Sequence, residues 1–154
     1  MNNEMILLSI REVYFERIAR GEKRYEFRKR LPRGMTQGVK VAVYCTRPVS
    51  KIVAWFSVGG LLSGTPQSIW RRTKTAAGIE RKKYMEYFHG KNVANAIVIR
   101  KLQLLKKPIS LVELGGLKSA PQFFVRLNAG QSKKILGAQR TRGQNKRMQY
   151  ESGN

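Results

Sequence analysis

The sequence predicts an α+β domain built on a small mixed sheet or open barrel. Three observations lead there. About five short stretches read as strands, helical stretches are inserted among them, and no regular strand–helix–strand alternation runs through the chain. At 154 residues, of which 42% are hydrophobic, the chain can bury roughly two thirds of its unfolded surface around one core.

Met5–Ile10 is a short, mostly apolar run and reads as a strand. Glu12–Arg20 follows as a helix, with Val13, Ile18 and Ala19 apolar among charges, and Gly21 is its stop. Arg24–Arg28 alternates as a strand does, Tyr25 and Phe27 on one face, Arg24, Glu26 and Arg28 on the other. Leu31–Gly38 is a basic loop punctuated by Pro and Gly. Val39–Cys45 and Lys51–Val58 are rich in β-formers and are joined by "TRPVS", whose Pro48 fits a turn. Gly59–Gly60 fits a bulge or a barrel corner. Thr65 and Pro66 are the N-cap and first position of a helix carrying Ile69 and Trp70. A further helix, Glu80–His89, brings Tyr84, Tyr87 and Phe88 onto neighbouring positions and stops at Gly90. Ala94–Leu105 is a long strand, left through Pro108, and Pro121–Leu127 is expected to form one or two last helical turns. From Asn128 apolar residues thin out and no periodicity remains. Residues 1–127 are therefore expected to form the domain, and 128–154 a basic, flexible tail.

Charge is the extreme feature of the composition. There are 31 Lys and Arg against nine acids, all of them Glu, for a formal net charge of +22. Residues 1–127 carry 25 of the basic groups and eight of the acids, so the excess belongs to the domain and not to the tail. Such a field opposes compaction and calls for a polyanionic partner. Aromatics interleaved with the charge favour nucleic acid. An anionic membrane ranks lower, because no stretch reads as a basic helix with a broad apolar face.

Several chemistries are excluded by residue type. One His and one Cys cannot build a structural zinc site of the usual kind, and a chain without Asp has no Ser-His-Asp triad. His89 reads as a cation placed comfortably near a helix C-terminus. No phosphate-cradling Gly-rich loop occurs. Nine scattered Glu do not supply the clustered carboxylates of a magnesium-dependent nuclease. Neither a metal nor another cofactor is expected. Cys45, alone, reads as a small buried hydrophobe. "MNNEMILLSIRE" lacks a basic lead-in and a cleavage site, and no apolar run approaches the roughly 20 residues of a membrane span, so a cytoplasmic location is expected.

The stretch "GEKRYEFRKR", Gly21–Arg30, holds five basic residues, two Glu and two aromatics. One reading makes it a solvated strand with Tyr25 and Phe27 in the core. The other makes Lys23, Glu26 and Arg28 converge on a ligand. Strict alternation would set Lys23 across from Glu26 and Arg28, so convergence requires Lys23 in the turn before the strand, or a bulge. "GEKRYEFR" resembles the G-x-K-x-x-E-x-R signature of the ASCH domain, with Gly21, Lys23, Glu26 and Arg28 in place. "VAVYCTRPVSKIVAWFSV", "SIWRRTKTAAGIERKKYMEYFHGKNVANAIVIRKL" and "KKPISLVEL" are similar to the rest of that family, so that the likeness spans about Met5–Leu127.

The resemblance implies a PUA-like fold, a small, twisted, partly open β-barrel flanked by helices, with a cleft near the motif for RNA or a nucleobase. It implies RNA ahead of DNA as partner, and roles in RNA metabolism, translation or transcription. One branch of the family hydrolyses the N4-acyl group of modified cytidine, with a threonine nucleophile where this chain has Glu26, beside the lysine matching Lys23. Glu26 puts that route in doubt, although Lys23 and Glu26 can still form an acid–base pair if burial shifts them toward neutrality.

The expected function is therefore an RNA- or single-strand-binding module; the alternative is an enzyme acting on RNA or a modified nucleoside through Lys23 and Glu26. Arg28 offers a planar fork for phosphate or a base edge. Arg24 shares the strand's charged face, and Lys29, Arg30 and Arg33 form a basic loop beside it. Trp70, Arg71 and Arg72 join an aromatic to two cations on a helix, Trp70 reading first as core and second as a stacking platform.

Overall fold

The computed structural model describes residues 4–140. It contains β1 (Ile6–Ile10), α1 (Glu12–Ala19), β2 (Tyr25–Arg28), β3 (Lys40–Cys45), β4 (Lys51–Gly64), α2 (Pro66–Thr73), a 3-10 turn (Lys74–Ala76), α3 (Arg81–Tyr87), β5 (Ala94–Ile109), α4 (Leu111–Leu114), β6 (Phe124–Arg126) and α5 (Ala129–Gly137). The strands form one sheet in the order β2-β5-β4-β3-β1-β6. β1 pairs parallel to β3, and the remaining neighbours are antiparallel. This is the α+β, mixed, partly open barrel that the sequence predicts.

Both faces of the central strands are covered, which is why they read as continuous apolar runs. Met5 and Leu7 join Ala42, Trp55 and Leu105 on one face, under α4 and α5 through Leu114 and Ile135. Ile6, Leu8 and Ile10 join Val41, Val43 and Phe56 on the other, where α1 contributes Ile18. A third cluster gathers Phe27, Ile69, Tyr84, Phe88, Ala94 and Ala96, where α2 and α3 pack on the β2–β5 end of the sheet. Thr65 caps α2 as expected, its side chain accepting from the Ser68 N–H at 3.1 Å, with Pro66 at the first helical position.

Three local expectations are corrected. β4 and β5 run past the expected ends at Val58 and Leu105 to Gly64 and Ile109, and the register between them shifts at Val58/Gly60, so the glycines interrupt the pairing without ending the strand. Residues expected to end in helical turns instead hold β6, which pairs with the outer edge of β1. Phe124 and Val125 face opposite clusters there, a period-2 signal too short to be read from three residues. The flexible tail expected from Asn128 is folded as far as residue 140. Asn128 caps α5 in a reciprocal box with Gln131, Ile135 is fully buried, and the Ser132 hydroxyl accepts from the Met5 N–H. The remainder of the expected tail, 141–154, lies outside the described residues.

Candidate functional site

Lys23, Glu26 and Arg28 line one cavity of about 580 Å³, walled by Tyr14, Phe27 and Tyr87. The local chain explains how they meet. Gly21 takes a φ of +78°, and the Lys23 N–H reaches back to the Arg17 carbonyl at 3.1 Å, so α1 closes in a tight turn. Lys23 is thereby placed before β2 begins, one of the two arrangements that convergence requires. Its side chain is only 3% exposed. Nζ donates to the Ala77 carbonyl at 2.9 Å and lies 4.7 Å from the Phe27 ring centroid and 5.5 Å from that of Tyr14.

The Ala77–Glu80 segment is strapped against this lysine. Arg17 donates to the Gly78 carbonyl at 2.9 Å and pairs with Glu80 at 3.0 Å. Gly78 itself has φ +62°, and a Cβ there would lie 2.3 Å from the Lys23 Cβ. Only a glycine fits this approach.

Burial pulls the Lys23 ammonium below its ordinary pKa of 10.5; the Glu26 carboxylate opposes that pull, and Arg17 and Arg28 add to it. The consequence for stability has a definite sign. Folded Lys23 releases its proton at a lower pH than unfolded Lys23, so in the window up to 10.5 the unfolded chain binds more protons and stability climbs with pH. Denaturant midpoints of wild type and Lys23→Met, followed from pH 7 to 10.5, should diverge in favour of wild type by up to about 1.4 kcal/mol per pH unit. Tyr84, its hydroxyl pushed up to about 12 by burial, is common to both proteins and drops out of the difference. Parallel curves would show that Lys23 keeps an ordinary proton affinity.

Glu26 and Arg28 form an ion pair, Arg28 Nε to Glu26 Oε1 at 3.5 Å, with both side chains nearly buried. That distance is at the outer limit for a hydrogen bond, and the geometry does not make one. Arg28 Nη2 donates to the Ser9 carbonyl at 2.7 Å, fixing the guanidinium to the end of β1. Among the described residues, Glu26 Oε2 and Arg28 Nε have no hydrogen-bond partner although both atoms are buried. A buried acceptor and donor left open side by side demand an explanation, because each carries a desolvation penalty of about 1–3 kcal/mol.

The other expected residues divide. Lys29 and Arg30 are exposed just past β2 and do not line the cavity themselves; Lys29 Nζ lies 4.6 Å from the ring centroid of Tyr87, which does, and the Arg30 guanidinium 5.1 Å from that of Phe123, which does not. Arg24 is exposed and does not line the cavity; its backbone instead joins Ala76 and Ile99. Arg33 is also apart from it, its carbonyl accepting from Arg126 beside a second, smaller cavity. Trp70 packs on Tyr84 at 4.9 Å between centroids, the core role, while Arg71 and Arg72 are exposed away from the lining. His89 does not line this cavity either.

Ser9, Tyr14 and Tyr87 were not identifiable as site residues from the sequence. Tyr14 and Arg17 stand three apart on α1, a spacing that could have marked one face. Ser9 carried no signal at all. No group of three or more His, Cys, Asp or Glu able to hold a metal ion occurs among the described residues. No described helix is long and apolar enough to cross a membrane.

The chain is 26% identical over 133 residues to an ASCH domain-containing ribonuclease of Zymomonas mobilis, covering 84% of this chain and 88% of that one. It is 32% identical over 102 residues to the large ribosomal subunit protein uL22 of Ureaplasma parvum, matching 66% of this chain but only 32% of that protein's length. In three dimensions it resembles the crystal structure of ASCH from Zymomonas mobilis, with TM-score 0.81 and 24% identity over 91% of this chain and 99% of that one. The fold is therefore the PUA-like one that the motif implies. The ASCH domain family model itself matches residues 8–103, from within β1 to within the long β5 strand. With more than half of its length matched, this chain belongs to the ASCH domain family.

Proposed function

We propose that this chain binds single-stranded RNA by admitting one unpaired base to the cavity lined by Lys23, Glu26 and Arg28. The observation that carries the reading is the buried pair without hydrogen-bond partners, Glu26 Oε2 and Arg28 Nε, borne by two residues that line the cavity. An exocyclic amine can donate to the carboxylate, and a ring nitrogen or carbonyl can accept from the guanidinium. Tyr14, Phe27 and Tyr87 supply aromatic walls for the faces of the base. A duplex hides both its faces and its pairing edges, so an unpaired base is the better guest. The family relative named a ribonuclease favours RNA over DNA. The net charge of +22 supplies the long-range attraction.

Filter binding of a labelled single-stranded RNA tests this. Retention should fall linearly on a log–log salt plot, with a slope of about −0.7 per phosphate neutralised. Arg28→Ala should weaken binding by tenfold or more, the loss expected of a charged hydrogen-bonding group of about 1.5–3 kcal/mol. Lys133→Ala, an exposed change on α5, should cost little. No retention at moderate salt, or an Arg28→Ala protein that binds as wild type, would end the proposal.

A second reading, cleavage of RNA, is favoured by the lowered proton affinity of Lys23 beside Glu26, an arrangement suited to an acid–base pair. Glu26→Gln separates the two. If Glu26 reads the base, the variant loses affinity; if it moves a proton, affinity persists while shortening of the labelled RNA stops.

A further inference from the structure

We infer that the partner is a strand of at least three nucleotides, laid across the cavity mouth with its flanking bases stacked on Tyr87 at one side and Phe123 at the other. The inference rests on the reading that the cavity takes a base. Three consecutive residues at the end of β2 set up the arrangement. Arg28 turns into the cavity, Lys29 reaches Tyr87 on α3, and Arg30 reaches Phe123 in the segment before β6. Lys29 and Arg30 lie in the bend just past β2 and reach two different rings, Tyr87 and Phe123, so the two cations are parted instead of crowding one edge.

Both flanks are held in place. Asn95 Nδ2 donates to the Lys29 carbonyl at 3.2 Å, fixing the backbone on the Tyr87 side. On the other side Ser9 bridges rim and platform: its carbonyl accepts from Arg28, and its hydroxyl donates to the Pro121 carbonyl at 2.7 Å, two residues before Phe123. Phe124 belongs to a core cluster, whereas Phe123 joins none among the described residues, although its ring centroid lies only 4.0 Å from that of Phe124. Tyr87 is 39% exposed, unusual for a large aromatic.

Each flank thus pairs an aromatic ring with a cation resting over it. Such a pair is suited to an exchange in which the cation swings to a phosphate and a base takes its place on the ring. A free nucleoside would leave both platforms unused.

The test compares three ligands on the full chain by fluorescence anisotropy or calorimetry: a ribonucleoside monophosphate, a trinucleotide, and the same trinucleotide lacking one terminal base. The abasic ligand keeps every phosphate, so it separates stacking from charge. Wild type should bind the intact trinucleotide about tenfold tighter than the abasic one, the size of one base stack. Phe123→Ala should remove a similar factor for the intact trinucleotide, and combining it with loss of the base that sits on it should cost little more, since both delete one contact. Phe123→Leu keeps apolar bulk without the aromatic face and should behave like Phe123→Ala, which guards against a folding defect. If the monophosphate binds and the trinucleotide is no tighter, or if Phe123→Leu binds the trinucleotide as wild type does, the strand path is wrong while the cavity reading stands. If neither ligand binds, the cavity reading fails and takes the path with it.

Discussion

A chain ending at Leu127 is expected to lose its cooperative thermal transition. The cut removes Ile135, fully buried against Leu7, Trp55 and Leu105, and truncating one such side chain alone costs about 2–5 kcal/mol. It also strips Met5 of the Ser132 hydroxyl and Gly115 of the Gln131 amide, each buried loss worth about 1–3 kcal/mol. The contacts of Ala138 and Arg140 with β5, through the Lys106 N–H and the Leu104 carbonyl, go with them. The sum approaches the whole stability of a domain, about 5–15 kcal/mol. Circular dichroism during heating checks it, with Ile135→Ala as the milder case, lower in Tm yet still cooperative. A truncated chain that melts as the full one does would show that α5 is not part of the core.

Gly78→Ala is expected to lower stability by about 3 kcal/mol or more and to disturb the site. Two penalties add. An alanine at φ +62° sits in a region that disfavours side chains, and its Cβ would meet the Lys23 Cβ at 2.3 Å, which no rotamer change relieves. Either Lys23 or the Ala77–Glu80 strap must give, and the hydrogen bond from Lys23 to Ala77 is lost. Gly90→Ala is the matched comparison, because Gly90 has φ +73° with open space around its missing Cβ. It should cost only the backbone strain, about 1 kcal/mol. Equal denaturant midpoints for the two variants would show that the clash with Lys23 is not what makes Gly78 necessary.

The strand and helix pattern was legible wherever the periodic signal ran long enough. Thr65–Pro66 announced α2, Gly21 announced the end of α1, and the alternation around Phe27 announced β2. The signal failed where an element is short or owes its existence to a distant edge. β6 has three residues and forms because β1 needs an outer partner. α5 looked like tail because only Ile135 and Leu136 of its nine residues are large and apolar; what folds it is the capping box of Asn128 and Gln131 together with a groove made by Met5, Leu105 and Leu114.

The site divides along the same line. The likeness of "GEKRYEFR" to the ASCH signature marked Lys23, Glu26 and Arg28, while residue type alone ruled out a zinc centre and an aspartate triad and assigned the positive charge to the folded body. Tertiary structure alone decided that Tyr14, Tyr87 and Ser9 stand around those three, that Arg24, Arg33 and the Trp70–Arg72 trio do not, and that Lys23 is buried enough to lose affinity for its proton. The physical reason is range. Propensity and periodicity act over a few bonds and can be read from neighbours, whereas a cavity is the space left between segments far apart in sequence, and desolvation depends on whatever that packing brings near.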